Sequence, residues 1–250
     1  MGMIKTEDEI QKLKNVCKIT TLILNQLIRD TKPGDTGIEI NSRAIEAFNK
    51  TGLEPLFRGY RGFPAAICIS RNSCVLHGIP DNIPFENGDV IKYDFGARLD
   101  GYCSDLARTF ILGKSNTKEA EEIIRQTRSC LDKVIHLLHD GVTLKEVARI
   151  IENCAANHNY GNIVTYSGHG IGTELHEPPL ISNCEKFVQQ DIILKEGMVI
   201  CVEPIFTLGS NTLVSDGRSH FNLKTYDGSI GVHFEDEILV KKFGCEVLTR

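Results

Sequence analysis

Two stretches decide how this chain folds: ENGDVIKYDF at 86–95 and KEGMVICVEP at 195–204. Each leaves a glycine turn, runs through an apolar strand and reaches a carboxylate. Gly88 thus matches Gly197, Val90 matches Val199, Ile91 matches Ile200 and Asp94 matches Glu203. A second correspondence lies upstream at a nearly equal offset, where Gly34, Thr36 and Glu39 reappear as Gly141, Thr143 and Glu146. Threonine followed three residues on by glutamate is a capping box, which satisfies the first free amides of a helix. An order of helix, helix, short strands therefore occurs twice, predicting two α/β halves, roughly 1–114 and 115–250, within one α+β domain spanning 1–250. Halves facing each other about a pseudo-twofold axis enclose a cleft, and the matched acids point into it.

Working outward, Thr6 with Glu9 opens a first helix in which Ile10, Leu13, Val16, Cys17, Leu24, Leu27 and Ile28 recur at helical spacing until Pro33-Gly34 stops them. Thr36 with Glu39 opens a second, through about Lys50, ended by Thr51-Gly52. The period then changes to strands at AAICIS (65–70), DVIKYDFGARL (89–99) and YCSDLARTFIL (102–112), the last two joined by Asp100-Gly101, a strong hairpin turn. Helices follow over roughly 117–139 and from Thr143 to about His158, then more short strands.

Composition bounds the function. With 250 residues, 41% apolar and 24% charged, the chain is neither disordered nor collagenous nor membrane-spanning. A net charge of −5, dispersed along the sequence, gives no cationic field for nucleic acid or anionic lipid as the main partner. The 9 cysteines are odd in number, lack a C-x-x-C pair and sit mostly in apolar runs, reading as reduced small hydrophobic residues. The opening MGMIKTEDEIQKLK carries mixed charge where a signal peptide needs an apolar segment, so the expected compartment is the cytoplasm.

The chemistry rests on acids in apolar surroundings. Asp94 and Asp105 lie within strands flanked by Ile91, Tyr93, Phe95, Leu106 and Phe110. A buried unpaired charge costs several kcal/mol, so each needs a cation, donors or metal; pairing with Arg98 or Arg108 is the plain alternative. SGHGIGTELHEPP (167–179) sets His169 and His176 among glycines, VICVEPIF (199–206) ends a strand at Glu203, and HFEDEILV (233–240) carries Glu235 and Glu237, either of which fits an edge strand's surface. Taken together, Asp94, Asp105, a histidine from His169 and His176, Glu203, and Glu235 or Glu237 would assemble an oxygen-rich, one-histidine site. Four carboxylates in a dry cleft require positive charge, and two divalent ions supply it. The donor mixture suits Mn, Co, Fe or Zn, and two such ions about 3.5–4 Å apart activate water and polarise a carbonyl, the chemistry of amide hydrolysis.

GYRGFPAAICISRNSCVLHGIPD (59–81), DFGARLDGYCSDLARTF (94–110), SGHGIGTELHEPPLI (167–181), VEPIF and FEDEILV resemble, in order and spacing, type I methionine aminopeptidases across essentially the whole chain. The resemblance implies a pita-bread fold around a curved, mostly antiparallel sheet, and removal of N-terminal methionine before a small second residue. It implies two divalent ions per chain (Co, Mn, Fe, Ni or Zn), with Asp94, Asp105, His169, Glu203 and Glu235 as ligands, Asp105 and Glu235 bridging. Glu203 matches the general base, His77 a histidine near the substrate amine and scissile amide, and His176 one that binds the scissile carbonyl and stabilises the tetrahedral intermediate. Tyr60, Phe63, Cys68 and Phe221 match the methionine pocket.

Partners implied are the N-terminal peptides of nascent proteins, with ribosome association, and a monomer binding neither membrane nor specific nucleic acid. DFGARLDGYCSDLARTF and the segment from Val232 also resemble Xaa-Pro peptidases. Leu175 stands where the family often has an aromatic, tryptophan is absent, and Asp236 also departs from the pattern. An Xaa-Pro peptidase and an inactive binding protein of the same fold remain the alternatives. GYRGFPAAICIS and HGIP favour the methionine branch, and the short interval from Glu203 to Glu235 leaves no room for the helical insert of type II enzymes. Gly2 makes Met1 itself a suitable substrate for such an activity, whereas Ile4 would protect Met3.

Overall fold

Each long helix starts where a threonine can take an otherwise free amide. In the computed structural model, which describes residues 3–215, 217 and 220–250, complete capping boxes at Thr6 with Glu9 and Thr36 with Glu39 open α1 (Glu7–Asp30) and α2 (Gly37–Thr51). Thr117 alone caps α3 (Lys118–Leu137), and a third box at Thr143 and Glu146 opens α4 (Leu144–Asn157). The Met1-Gly2 bond discussed above lies outside the described residues.

Between α2 and α3 run β1 (Glu54–Pro55), β2 (Cys68–Arg71), β3 (Cys74–Leu76), β4 (Val90–Leu99) and β5 (Tyr102–Ile111). The strand expected from residue 65 begins only at Cys68, because the Ala66 amide is taken by the Asn41 side chain of α2 rather than by a neighbouring strand. Asp100 and Gly101, at φ 50° and 83°, make the β4–β5 turn, and two positive φ values are what a two-residue hairpin of this twist requires. The hairpin pairs Asp94 with Ala107 and Gly96 with Asp105. Since side chains alternate with period two, Asp94, Ala107 and Asp105 share one face.

The second half adds β6 (Gly161–Asn162), β7 (Gly168–Gly170), β8 (Glu177–Ile181), β9 (Val199–Val202), β10 (Ile205–Thr207), β11 (Leu213–Val214), β12 (Leu223–Thr225), β13 (Gly231–His233), β14 (Asp236–Val240) and β15 (Cys245–Val247). Its main sheet has the order β15-β14-β9-β7-β8, and β12 crosses to pair with β3 of the first half. Every strand pair among the described residues is antiparallel. The apolar faces of α1 and α2 meet the first sheet through Leu13, Val16, Leu24, Phe48, Tyr93, Phe95 and Leu106. Those of α3 and α4 meet the second through Ile123, Leu131, Val134, Val147, Ile151, Ile200 and Phe206.

The two halves are sewn together along β5. The Glu235 amide donates to the Ala107 carbonyl at 3.0 Å and the Ala107 amide returns the bond at 3.3 Å. Thr109 Oγ1 donates to the His233 carbonyl at 2.6 Å. Arg108 reaches across to the Glu235 carbonyl, to the Thr249 carbonyl at 2.6 Å and to Asp236 Oδ1 at 2.7 Å. Asp236, fully buried, also takes Arg250 at 2.8 Å and faces Arg128 at 3.7 Å. This hub is the role of the Asp236 departure.

Removing Asp236 leaves Arg108 without its counter-charge and Arg128 and Arg250 with Asp132 alone, and an uncompensated buried charge typically costs about 3–5 kcal/mol. Asp236→Ala is therefore expected to lower the urea midpoint by that equivalent. Arg250→Met, at the more exposed rim of the hub, should cost less than about 1 kcal/mol. Equal losses from the two variants would mean that the hub does not hold the seam.

Candidate active site

Sheet geometry places the acids. Across the first half one row runs Cys68, Asp94, Ala107 and on to Glu235 through the seam. Across the second, His169 lies opposite Cys201 and Cys201 opposite Glu237. Glu203 and Glu235 stand two residues further along, so alternation turns them to the same side. Glu235 thus ends the first row and lies on the same side as the second. One ligand atom each from Asp94, Asp105 and Glu235 lie within 4.8 Å of one another, as do those of His169, Cys201 and Glu235. All five expected ligands line one cavity of about 560 Å³.

Charge is badly out of balance there. Burial and the neighbouring carboxylates Asp105 and Glu203 push the Asp94 carboxyl well above its ordinary range, and burial followed by Asp105, Glu203 and Asp94 does the same to Glu235. Asp105 is pushed up to about 8 by burial and by Glu203. Asp94 Oδ1, Asp105 Oδ1 and Glu235 Oε1 are buried with no hydrogen-bond partner among the described residues. Arg98 and Arg108 leave the acids unpaired: they go to the Thr173 carbonyl and to Asp236.

His169 sharpens the point. Its Nδ1 lies 2.9 Å from the Gly170 carbonyl, which only accepts, so the proton sits on Nδ1. The Nε2 lone pair then faces Asp105 Oδ2 and Glu235 Oε1, each at 3.8 Å. Burial lowers the tendency of this ring to protonate. Lone pairs converging without a proton fit a divalent cation, and the backbone bond orients the imidazole as such a ligand requires. Cys201 is not a fitting ligand: burial, then Glu235 and Glu237, push its thiol up and hold it neutral.

Glu203 stands outside both trios of close ligand atoms. Its Oε2 lies 3.3 Å from His233 Nε2. Although burial acts to raise its pKa, contact with His233 and the fields of His169 and His77 bring it below the ordinary value. Sequence reading missed His233; the available signal was the period-two alternation of His233 and Glu235 in HFED. Near it, burial lowers the His77 pKa, and His77 sets its ring edge-on to Tyr166 with centroids 5.2 Å apart. Tyr166 was likewise missed.

The apolar end of the cavity is formed by Phe63 and Phe221, edge to face at 5.1 Å, with Cys68 and Leu175 buried beside them. Burial, then Asp94 and Asp105, hold the Cys68 thiol neutral. Tyr60 sits at the rim, its hydroxyl 2.9 Å from His176 Nδ1. Burial, aided by His169, brings His176 down to about 4.

This fold and acid cluster define a metallopeptidase: a profile of metallopeptidase family M24 matches residues 11–242, and the chain belongs to that family. A methionine aminopeptidase of Mycoplasma capricolum is 36% identical over 251 residues, covering 100% of this chain and 99% of its own length. The crystal structure of a methionine aminopeptidase from Thermotoga maritima superposes with a TM-score of 0.94 at 34% identity, over 99% of this chain and 98% of that one. A prolidase from Pyrococcus horikoshii is more distant, with a TM-score of 0.80 and 27% identity over 99% of this chain and 63% of its own. Within M24, the chain belongs with the methionine aminopeptidases and has their pita-bread fold.

Because a ligand bound only by the folded state stabilises it, Mn²⁺ or Co²⁺ added to chelator-treated protein should raise the melting temperature, by about 2–4 °C per kcal/mol of linkage. Glu235→Ala, which removes the carboxylate shared by both trios and also relieves repulsion among the others, should fold and lose most of that rise. An undiminished ion-dependent rise in this variant would remove Glu235 from the ligand set.

Proposed function

We propose that this chain hydrolyses the first peptide bond of peptides and nascent proteins that begin with methionine followed by a small residue. The observation carrying this reading is the joining, in one cavity, of the unbalanced carboxylate cluster to an apolar slot of Phe63, Phe221, Cys68 and Leu175. An unbranched thioether fits such a slot and gains favourable contacts between sulfur and the aromatic rings.

Asp94, Asp105, His169, Glu203 and Glu235 would hold two divalent ions, chosen from Co, Mn, Fe, Ni or Zn. When bound, the ions supply positive charge that makes water acidic and the scissile carbonyl electrophilic. Glu203, kept ionised by His233, accepts a proton from the attacking water and returns it to the departing amine. Tyr60, donating to His176 Nδ1, leaves the His176 proton on Nε2, where a neutral imidazole donates to the carbonyl oxygen as it gains charge. His77 flanks the substrate's amine and scissile amide. The expected setting is the cytoplasm, at or near the ribosome, with the protein acting as a monomer on nascent chains.

Assay of metal-loaded protein against Met-Gly-Met and an Ala-Pro peptide tests the reading: the first should be cleaved between Met and Gly, and equal kcat/KM on both would overturn it. Leucine in place of methionine should cost about 1–3 kcal/mol, a graded preference. Glu203→Gln should lower kcat about 10²–10⁴-fold through loss of the base, and His176→Ala about 10²–10³-fold through loss of one oxyanion donor. A Glu203→Gln enzyme with wild-type kcat would require another base.

A further inference from the structure

His176 closes the connection between β7 and β8, residues 171–176, which has no regular structure of its own. The β4–β5 hairpin holds one side of it: Arg98 donates to the Thr173 carbonyl at 3.0 Å and the Cys103 amide to the Gly172 carbonyl at 2.8 Å. The other side is held by Glu177, the residue bonded to His176. Its carboxylate folds back over the loop, Oε1 accepting the Glu174 amide at 3.1 Å and Oε2 accepting Lys5 Nζ at 2.6 Å.

Lys5 is distant in sequence and belongs to the segment ahead of α1. That segment is itself fixed, since the Lys5 amide donates to the Gly197 carbonyl at 2.8 Å and Ile4 pairs with Met198 at the approach to β9. The Lys5 side chain is only 2% exposed. A Cβ at Gly172 would collide with the Lys5 ammonium and lie 2.6 Å from Glu177 Oε1, so the ion pair closes directly over the loop backbone. Two long, charged side chains are thus ordered at the base of a loop whose last residue is the candidate carbonyl donor.

We propose that Lys5 is a positioning residue for hydrolysis: through its ion pair with Glu177 it fixes the loop that presents the His176 imidazole. The proposal rests on the functional reading above and assigns a role in the reaction to a segment that touches no substrate. Displacement of a reacting group by about 1 Å can cost up to 10²-fold in rate, so a modest slackening here is visible in turnover.

The test is a double-mutant cycle on metal-loaded, full-length protein with Met-Gly-Met. Lys5→Met should lower kcat on the order of ten- to a hundredfold with KM changed less than about twofold, and Lys5→Arg, which keeps the charge, should recover most of the loss. In a His176→Ala background, Lys5→Met should produce no further loss, because the group it positions is gone. Hydrogen exchange at the Glu174 amide should quicken in Lys5→Met with or without metal. Should Lys5→Met fail to fold, Glu177→Gln enters the same cycle with the same expectation. Wild-type kcat in the Lys5 variant, or an equal fold-loss with and without His176, overturns the positioning role while leaving the peptidase reading intact. A wild-type protein that releases no methionine overturns the peptidase reading, and the positioning role with it.

Discussion

The site exists because two strands from different halves of the chain meet at Ala107 and Glu235. The reciprocal amide-to-carbonyl bonds at this point continue the row that begins at Cys68 and Asp94, and they carry the alternation of side chains from one half into the other. Alternation then sorts charge by face. Asp105 and Glu235 turn into the cavity, whereas Arg108 and Asp236 turn away from it and pair at 2.7 Å. Arg108 is consumed on the opposite face by Asp236, which also takes Arg250, and Arg98 is drawn off to the Thr173 carbonyl. One seam thus yields a satisfied ionic hub on one side and a cluster of uncompensated carboxylates on the other, and only the latter is free to receive a cation.

That imbalance works against folding. Three carboxyls held above their ordinary range by burial and mutual repulsion oppose the folded state at neutral pH, and a sheet made only for stability would carry apolar residues there. Functional sites are where such local conflicts persist, offset by packing elsewhere. Here the offset comes from two apolar cores and from helix caps. The cluster relaxes when positive charge enters it, which ties the stability of the fold to the occupancy of the site.

How much of this was legible in the sequence follows the range of each interaction. The three threonine boxes and the Asp100-Gly101 turn are local, and each appears where the pattern puts it. The metal-ligand candidates were legible because charge inside an apolar strand has few explanations. The arginine pairing considered for Asp94 and Asp105 fails for two reasons: alternation puts Arg108 on the far face of β5 from Asp105, and Arg98 reaches forward to Thr173, a contact only the closed fold creates. His233 reads in sequence as a lone histidine ahead of the acids of HFEDE. Its partner Glu203 is in another strand, and Lys5 finds Glu177 only once the fold is closed. Asp236 reads as an odd acid in sequence and becomes intelligible only beside three arginines.

The four cavity carboxylates divide their labour for an equally physical reason. Asp94, Asp105 and Glu235 face mainly one another, so each raises the cost of ionising the next. Glu203 faces histidines: His233 touches it, and His169 and His77 lie near enough for their fields to matter. Burial acts on it as on the others, yet its pKa moves in the opposite direction. Groups of one chemical type pushed apart in this way can take different roles in an acid–base reaction. The acid on the histidine side is the one suited to take a proton from water and give it up again, while the three that crowd together are suited to hold cations. The proposed role of Glu203 as base draws its support from the residues that surround it, and His233, two positions before the shared Glu235, is what sets it apart from the other three acids.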